Sequence, residues 1–247
     1  MTLSLPWIIH LLFVVIRLSS LFFFTPIQAI RQISVPTRIL LIFSFSLLIV
    51  FSTQGSTPTN NLVLRCLAEF TNGLILATSL CAVFSIYHIA GQLIDNQIGL
   101  NTLAFFKPDE TGQESLSALL LSMLAVLLFF GSNGYLWLFK GLSYSFIIAP
   151  PGAITLFNGL SPILKQFGFM FSMSFLMASP IVIALVAIDF CSALITRTMP
   201  QVNPYFFTLP LKIILGFLIF IMMLQYITPL TDIIMEHCFH TWQEVLS

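Results

Sequence analysis

Apolar residues in this chain come in runs whose length suits hydrocarbon better than a water-facing surface. Six runs stand out, at residues 3–24, 39–51, 62–90, 116–139, 167–190 and 210–228, and a helix needs about 20 mostly apolar residues to cross a bilayer. The pattern predicts an all-α membrane protein of about six apolar helices, the second one short. Turn formers separate the runs: Gln54, Gly55, Ser56 and Pro58 in one break, Lys107, Pro108, Asp109, Glu110 and Gly112 in another. Ala149, Pro150, Pro151 and Gly152 end an element, because proline lacks an amide proton and restricts the residue before it. Pro180, inside the fifth run, predicts a kink or a break. Residues 142–165 are apolar only in short pieces. Irregular backbone at membrane depth must be buried in protein or line water, so this stretch favours a multi-subunit assembly over an isolated bundle. The first run carries no positive charge before Arg17 and no small-residue cleavage pattern, and reads as a retained helix. No soluble domain interrupts the chain, which reads as one domain over residues 1–247.

Composition narrows the class further. Of 247 residues, 58% are hydrophobic and 7% charged, against about 25% charged in an ordinary soluble domain, which excludes a soluble globular enzyme. Nine Lys plus Arg balance nine Asp plus Glu, leaving no basic field for nucleic acid. The basic residues are spread too evenly over alternate connections to set a membrane orientation. Cys66 and Cys81 would stand about 22 Å apart on one helix, beyond disulfide reach. With Cys191 and Cys238 they read as small apolar core residues.

Against this background the polar residues inside the runs carry the information. Arg17, Arg65, Glu69, His88 and Asp189 all lie within spans, where a charge costs roughly 2.5–3.5 kcal/mol. Arg65 and Glu69 are one turn apart and can neutralise each other. Arg17 and Asp189 have no partner on their own helix, and pair either with each other or with another subunit. The alternatives for these charges are a polar conduit and a self-contained structural pair. His88 reads as a hydrogen-bonded residue. Asp232, Glu236 and His240 share a face near the C-terminus, with Cys238 pointing elsewhere, and read as an amphipathic, solvated tail rather than a metal site. No HExxH, GxSxG or GxxxxGK[ST] motif occurs, so neither catalysis nor a cofactor is expected.

Several motifs in order resemble a known family. Arg17 and Pro26 mark the first helix. Glu69 and Gly73 lead to Gly91, Gln92, Leu93, Ile94, Asp95, Asn96, Gln97, Ile98 and Gly99. Phe129 to Trp137 follows, then Ser145, Pro151 and Gly152. Last come Arg197, Pro200, Gln201 and Asn203, leading into Leu209, Pro210, Leu211, Lys212 and Gly216. Together these resemble the FliR family of flagellar export-gate proteins and its injectisome relatives, the SctT group, over nearly the whole chain. Gln92, Tyr135 and Thr208 stand where that family often has Glu, His and Gly, so none of the three is an obligatory acid, base or glycine here. Asp95 and Asn96 lean toward the injectisome branch. The stretch from Asn133 to Trp137 and the short tail lean toward the flagellar branch, which the reading favours.

The resemblance implies a non-enzymatic subunit of a protein-conducting gate in the bacterial inner membrane, at the flagellar basal body. It implies assembly with FliP and FliQ, contact with FlhB and with lipid, and passage of unfolded exported proteins. Helices stacked as broken hairpins in such a gate need not all cross lipid. The loop at residues 101–115 is the expected channel plug: Phe105 and Phe106 can seal a constriction by excluding water, while Lys107, Pro108 and Gly112 allow retreat. Arg17, Arg65, Glu69, Gln97, Asp189, Arg197, Pro200, Gln201 and Asn203 are the expected intramembrane polar and assembly residues. A small-solute channel or transporter is the rival class, but it predicts matched broken-helix repeats that the sequence lacks.

Overall fold

The computed structural model describes residues 5–25, 33–52, 61–99, 115–153, 161–198 and 205–246. Seven helices fill these stretches: α1 (Leu5–Phe23), α2 (Val35–Ser52), α3 (Leu62–Ile98), α4 (Leu116–Gly131), α5 (Gly134–Ile148), α6 (Ser161–Thr198) and α7 (Tyr205–Leu246). No strand occurs among the described residues. By length and composition α1, α3, α6 and α7 can each cross a membrane, α4 with α5 makes a fifth, bent candidate, and α2 is a shorter apolar helix. The chain is an all-α membrane protein, and the six apolar segments appear where the hydrophobic runs place them.

The differences lie at the ends and breaks. The run at residues 116–139 is not one helix. Ser132 closes α4, and Asn133 takes a left-handed φ of 57°, a conformation its short polar side chain tolerates better than most. Helix α6 continues through Pro180 without a break, and α7 contains both Pro210 and Pro229. Helices α3, α6 and α7 have 37, 38 and 42 residues, a contour of about 55–63 Å at 1.5 Å per residue. That is about twice the 30 Å of hydrocarbon, so much of each helix needs a setting other than lipid tails.

Contacts sort the chain into two compact units, each assembled from discontinuous stretches. The first comprises Met1–Phe84, Asn133–Phe167 and Met235–Ser247. In it α1 and α2 run antiparallel, as Trp7 against Phe51 and Phe22 against Phe45 require. Helix α3 lies directly on α1: a Cβ at Gly73 would collide with the Ser20 hydroxyl and the Arg17 carbonyl. Gly73→Leu should therefore force these backbones apart and cost about 1–3 kcal/mol, read as a lower Tm in detergent; an unchanged Tm would mean that the helices do not cross this closely. The last turns of α7 pack more than a solvated tail would. Met235, Cys238 and Trp242 are buried, with Trp242 seated over Gly141 and Phe239 stacked on Trp137. Glu236 and His240 remain exposed on the opposite face.

The second unit comprises Ser85–Ser132 and Gly168–Ile234. Its core forms where the end of α3 meets α4, α6 and α7, with Ile94, Ile98, Leu121, Phe129 and Leu185 buried. Gly91 lies against the backbone of Ala118, which brings the last turns of α3 onto the first turn of α4. Tyr87 donates a 2.8 Å hydrogen bond to Thr231 within this core, as a buried phenol requires.

Candidate functional site

Each unit contains a polar network that joins charged residues far apart in sequence. In the first, the close crossing at Gly73 places Arg17 beside Glu69, one turn earlier on α3. Arg17 Nε and Glu69 Oε2 are 2.6 Å apart, and both side chains are 0% exposed. The rest of the guanidinium fork is also used. Nη1 donates to the Ser145 carbonyl and hydroxyl, each at 3.0 Å, and Nη2 donates to the Ala149 carbonyl at 2.9 Å. These carbonyls close the C-terminal end of α5, where unsatisfied acceptors and the helix dipole both favour a cation. The Phe146 ring lies 4.5 Å from the guanidinium carbon and adds a cation–π contact.

Glu69 is satisfied on its other oxygen by the Gly152 amide at 2.8 Å. That amide is available because Pro150 and Pro151 end α5 and Gly152 turns with φ +83°. A side chain there would be strained by φ and would meet Phe13 at 2.7 Å. Arg65 donates to the Gly152 carbonyl. Of the described residues just after α5, Ala149, Pro151 and Gly152 are thus buried in protein, and Ala149 and Gly152 are hydrogen-bonded to charges, the condition under which such backbone is tolerated at membrane depth. Sequence spacing pairs Glu69 with Arg65. The fold instead gives Glu69 to Arg17 and turns Arg65 to the loop backbone, because the α1–α3 crossing brings a better-placed fork than the helix's own neighbour.

The second network surrounds the end of α3. Asp95, 0% exposed, accepts from the Ser117 amide at 2.9 Å and from the Ser115 and Ser117 hydroxyls. Ser115 itself caps α4 by accepting from the Ala118 amide. One carboxylate thereby clamps the helix that enters residues 100–114 to the helix that leaves them, and its charge sits at the favourable end of the α4 dipole. Two residues on, Gln97 donates to Asp189 Oδ2 at 3.1 Å. Lys212 pairs with Asp189 Oδ1 at 2.5 Å and donates to the Gln97 carbonyl at 3.3 Å. Asp189 therefore finds its partner on α7 rather than in Arg17.

The sequence-derived residues divide accordingly. Arg17, Glu69 and Arg65 meet in one network, and Gln97 and Asp189 in the other. Arg197 stands exposed in the last turn of α6. Pro200, Gln201 and Asn203 lie outside the described residues, as do Phe105, Phe106, Lys107, Pro108 and Gly112. Lys212 was missed as a charge partner although it lies within an apolar run. Asp95 and Ser145 were noticed only as motif members and Gly152 as a motif member in the break that ends an element, and Ser115 and Ser117 gave no signal beyond that of an ordinary helix start. None of the four cysteines forms a disulfide, and no group of three ligand-type side chains among the described residues could hold a metal ion.

Buried charges that tie helices and loops together, on helices fit to cross a membrane, define a polytopic membrane protein. Residues 8–238 match the family described as Bacterial export proteins, family 1, and the chain belongs to that family, which includes FliR and its relatives. It is 28% identical over 244 residues to the flagellar biosynthetic protein FliR of Bacillus subtilis, covering 96% of this chain and 94% of that one. With the Escherichia coli protein of the same name the identity is 25% over 251 residues, covering 98% and 95%. The surface presentation of antigens protein SpaR of Shigella flexneri is 29% identical over 209 residues, covering 83% and 81%.

Proposed function

We propose that this chain is a subunit of the flagellar type III protein export gate in the bacterial inner membrane. In this reading it builds part of the protein-conducting channel with FliP and FliQ, contacts FlhB, and is needed for flagellum assembly at the basal body. The observation that carries the proposal is the nearly end-to-end similarity to a protein named for flagellar biosynthesis. Helices twice as long as hydrocarbon is thick support an assembled setting, as do large apolar side chains left exposed on every helix, such as Val63, Ile147 and Phe206. The gate chemistry is passive: unfolded chains pass while ions are held back by a narrow, dewetted constriction. Residues 101–115 supply the plug in this reading, and the Asp95 clamp fixes the neck from which they emerge. The chain acts as one functional domain over residues 1–247. The similarity to SpaR favours one second reading, an injectisome export gate.

Deleting the gene should abolish flagella and motility, and a tagged copy that restores them should copurify FliP and FliQ. Loss of injectisome secretion with motility intact would move the assignment to the second reading, and loss of neither would overturn both. Deleting residues 105–112 should leave the complex assembled but leaky to small ions, slowing growth in high salt. An assembled complex without leak would remove the plug assignment.

A further inference from the structure

Helices α1, α2 and α5 enclose an apolar groove in the first unit. Its volume is about 430 Å³, and nine of its ten lining residues are apolar, so its walls are almost entirely carbon. Leu18, Leu142 and Phe146 form the floor and are 0–3% exposed. Leu48 on α2 and Ile147 on α5 are 64% and 73% exposed and form the lips. The one polar lining residue is Ser143, whose hydroxyl donates to the Phe139 carbonyl at 2.9 Å, so its donor is spent on its own helix. Ring contacts keep the groove from collapsing. Phe22 stacks on Phe45 at 6.0 Å and Phe45 meets Phe139 at 5.4 Å, which props the three helices apart at one end. Phe146 is held in the floor by the Arg17 guanidinium, 4.5 Å from its ring centre. Packed proteins do not leave a space of this size empty, and carbon walls offer water no partners.

We infer that this groove holds one acyl tail of a membrane phospholipid and retains it more firmly than the open helix faces retain theirs. Dimensions select the occupant. Along α5 the groove runs from Phe139 to Ile147, about 12 Å at 1.5 Å per residue. That is close to the ~15 Å that one leaflet contributes to the hydrocarbon thickness. The volume of about 430 Å³ divided by that length of about 12 Å gives a mean cross-section of about 36 Å². A helix from a neighbouring subunit, about 10 Å across with its side chains, needs about 80 Å². A hydrocarbon tail, bounded by carbon–carbon contacts of about 4 Å, needs about 20 Å² and has room left for its bends. Polarity selects the same occupant, since an extended peptide laid in the groove would leave its amides without partners. The tail touches three helices where lipid on an open face touches one, and dispersion contacts add with their number. The inference needs only a membrane location, so it goes beyond the export-gate reading and holds for a flagellar or an injectisome gate alike.

The test uses the full chain with its copurifying subunits, in nanodiscs of phosphatidylethanolamine and phosphatidylglycerol. A phosphatidylglycerol with a photoreactive diazirine in its acyl tail is included, then chased with unlabelled lipid before irradiation. Labelled peptides are located by mass spectrometry. Residues 139–147 should carry at least about fivefold more label than the open faces at Leu127 and Ile183, because three helices hold a groove tail and one holds a surface tail. Those two references are 69% and 67% exposed. Ser143→Phe places a ring in the groove and should remove the excess label while the complex still assembles, whereas Ser143→Ala should keep it. Label at residues 139–147 no greater than at the references overturns the inference, as does label unchanged in an assembled Ser143→Phe complex. A photoreactive amino acid at Ile147 that captures a neighbouring subunit in place of phospholipid overturns it too. If Ser143→Phe does not assemble, Leu48→Phe fills the groove from the other lip, and the labelling of the native chain decides the matter without either variant.

Discussion

Arg17→Ala is expected to deplete the protein from membranes and to lower its Tm in detergent by the largest margin of any single substitution in the chain. Glu69 would be left as a carboxylate at 0% exposure with the Gly152 amide as its remaining bonded donor. The Ala149 carbonyl would lose the Arg17 donor at the same time, and the Ser145 carbonyl would be left with the Ala149 amide. Breaking a buried ion pair by removing one partner costs about 3–5 kcal/mol, a large share of the 5–15 kcal/mol that holds a typical protein folded. Glu69→Ala should be comparably severe, because it strands the cation. Arg17→Lys should rescue little: one ammonium cannot reach a carboxylate, a hydroxyl and two carbonyls that a planar fork spans together. The double variant Arg17→Met, Glu69→Met should cost clearly less than the sum of its single changes. Immunoblot levels and detergent melting curves measure all four, and single variants at wild-type level and Tm would remove the network from any account of stability.

Asp95→Ala is the second large effect, and its signature is local. Hydrogen bonds to a charged group contribute about 1.5–3 kcal/mol each. Asp95 accepts three, all from the start of α4, so their joint loss should cost about 3 kcal/mol or more. Asp95→Asn keeps an acceptor for the Ser117 amide and should be milder, while Ser117→Ala should cost about 1 kcal/mol. Because the carboxylate joins the helices on either side of residues 100–114, its loss should make the first turn of α4 exchange amide hydrogens faster and speed protease cleavage between Gly99 and Ser115. Under the plug reading it should also raise ion leakage without abolishing assembly. Unchanged exchange at residues 116–119 would show that the clamp is dispensable.

Much of this protein is legible from one dimension because lipid is a demanding solvent. Apolar runs long enough to span, turn formers between them and a nearly neutral, charge-poor composition leave all-α membrane architecture as the available class. The motif order, read as a set, points to the export family that the whole-chain match bears out. Legibility fails where a residue's meaning depends on what crosses it. Spacing pairs Glu69 with Arg65 because helical neighbours are all that a linear chain reveals. It leaves Arg17 and Asp189 unassigned for the same reason, and gives Asp95 no role although three donors converge on it.

The sequence by itself therefore determined the solvent and the helices, which follow from local composition and period, and pointed to the family through the resemblance of its ordered motifs. The tertiary structure decided how the charges are used. Gly73 brings α1 against α3 closely enough for Arg17 to take Glu69, and the turn at Gly152 lends its amide to the same carboxylate. Lys212 meets Asp189 from a different helix, and Asp95 closes the neck between α3 and α4. Each pairing joins residues on different elements, and ion-pair and hydrogen-bond energies fall off over a few ångströms. Only helix crossings at that scale can select one partner among several that sequence leaves equally available.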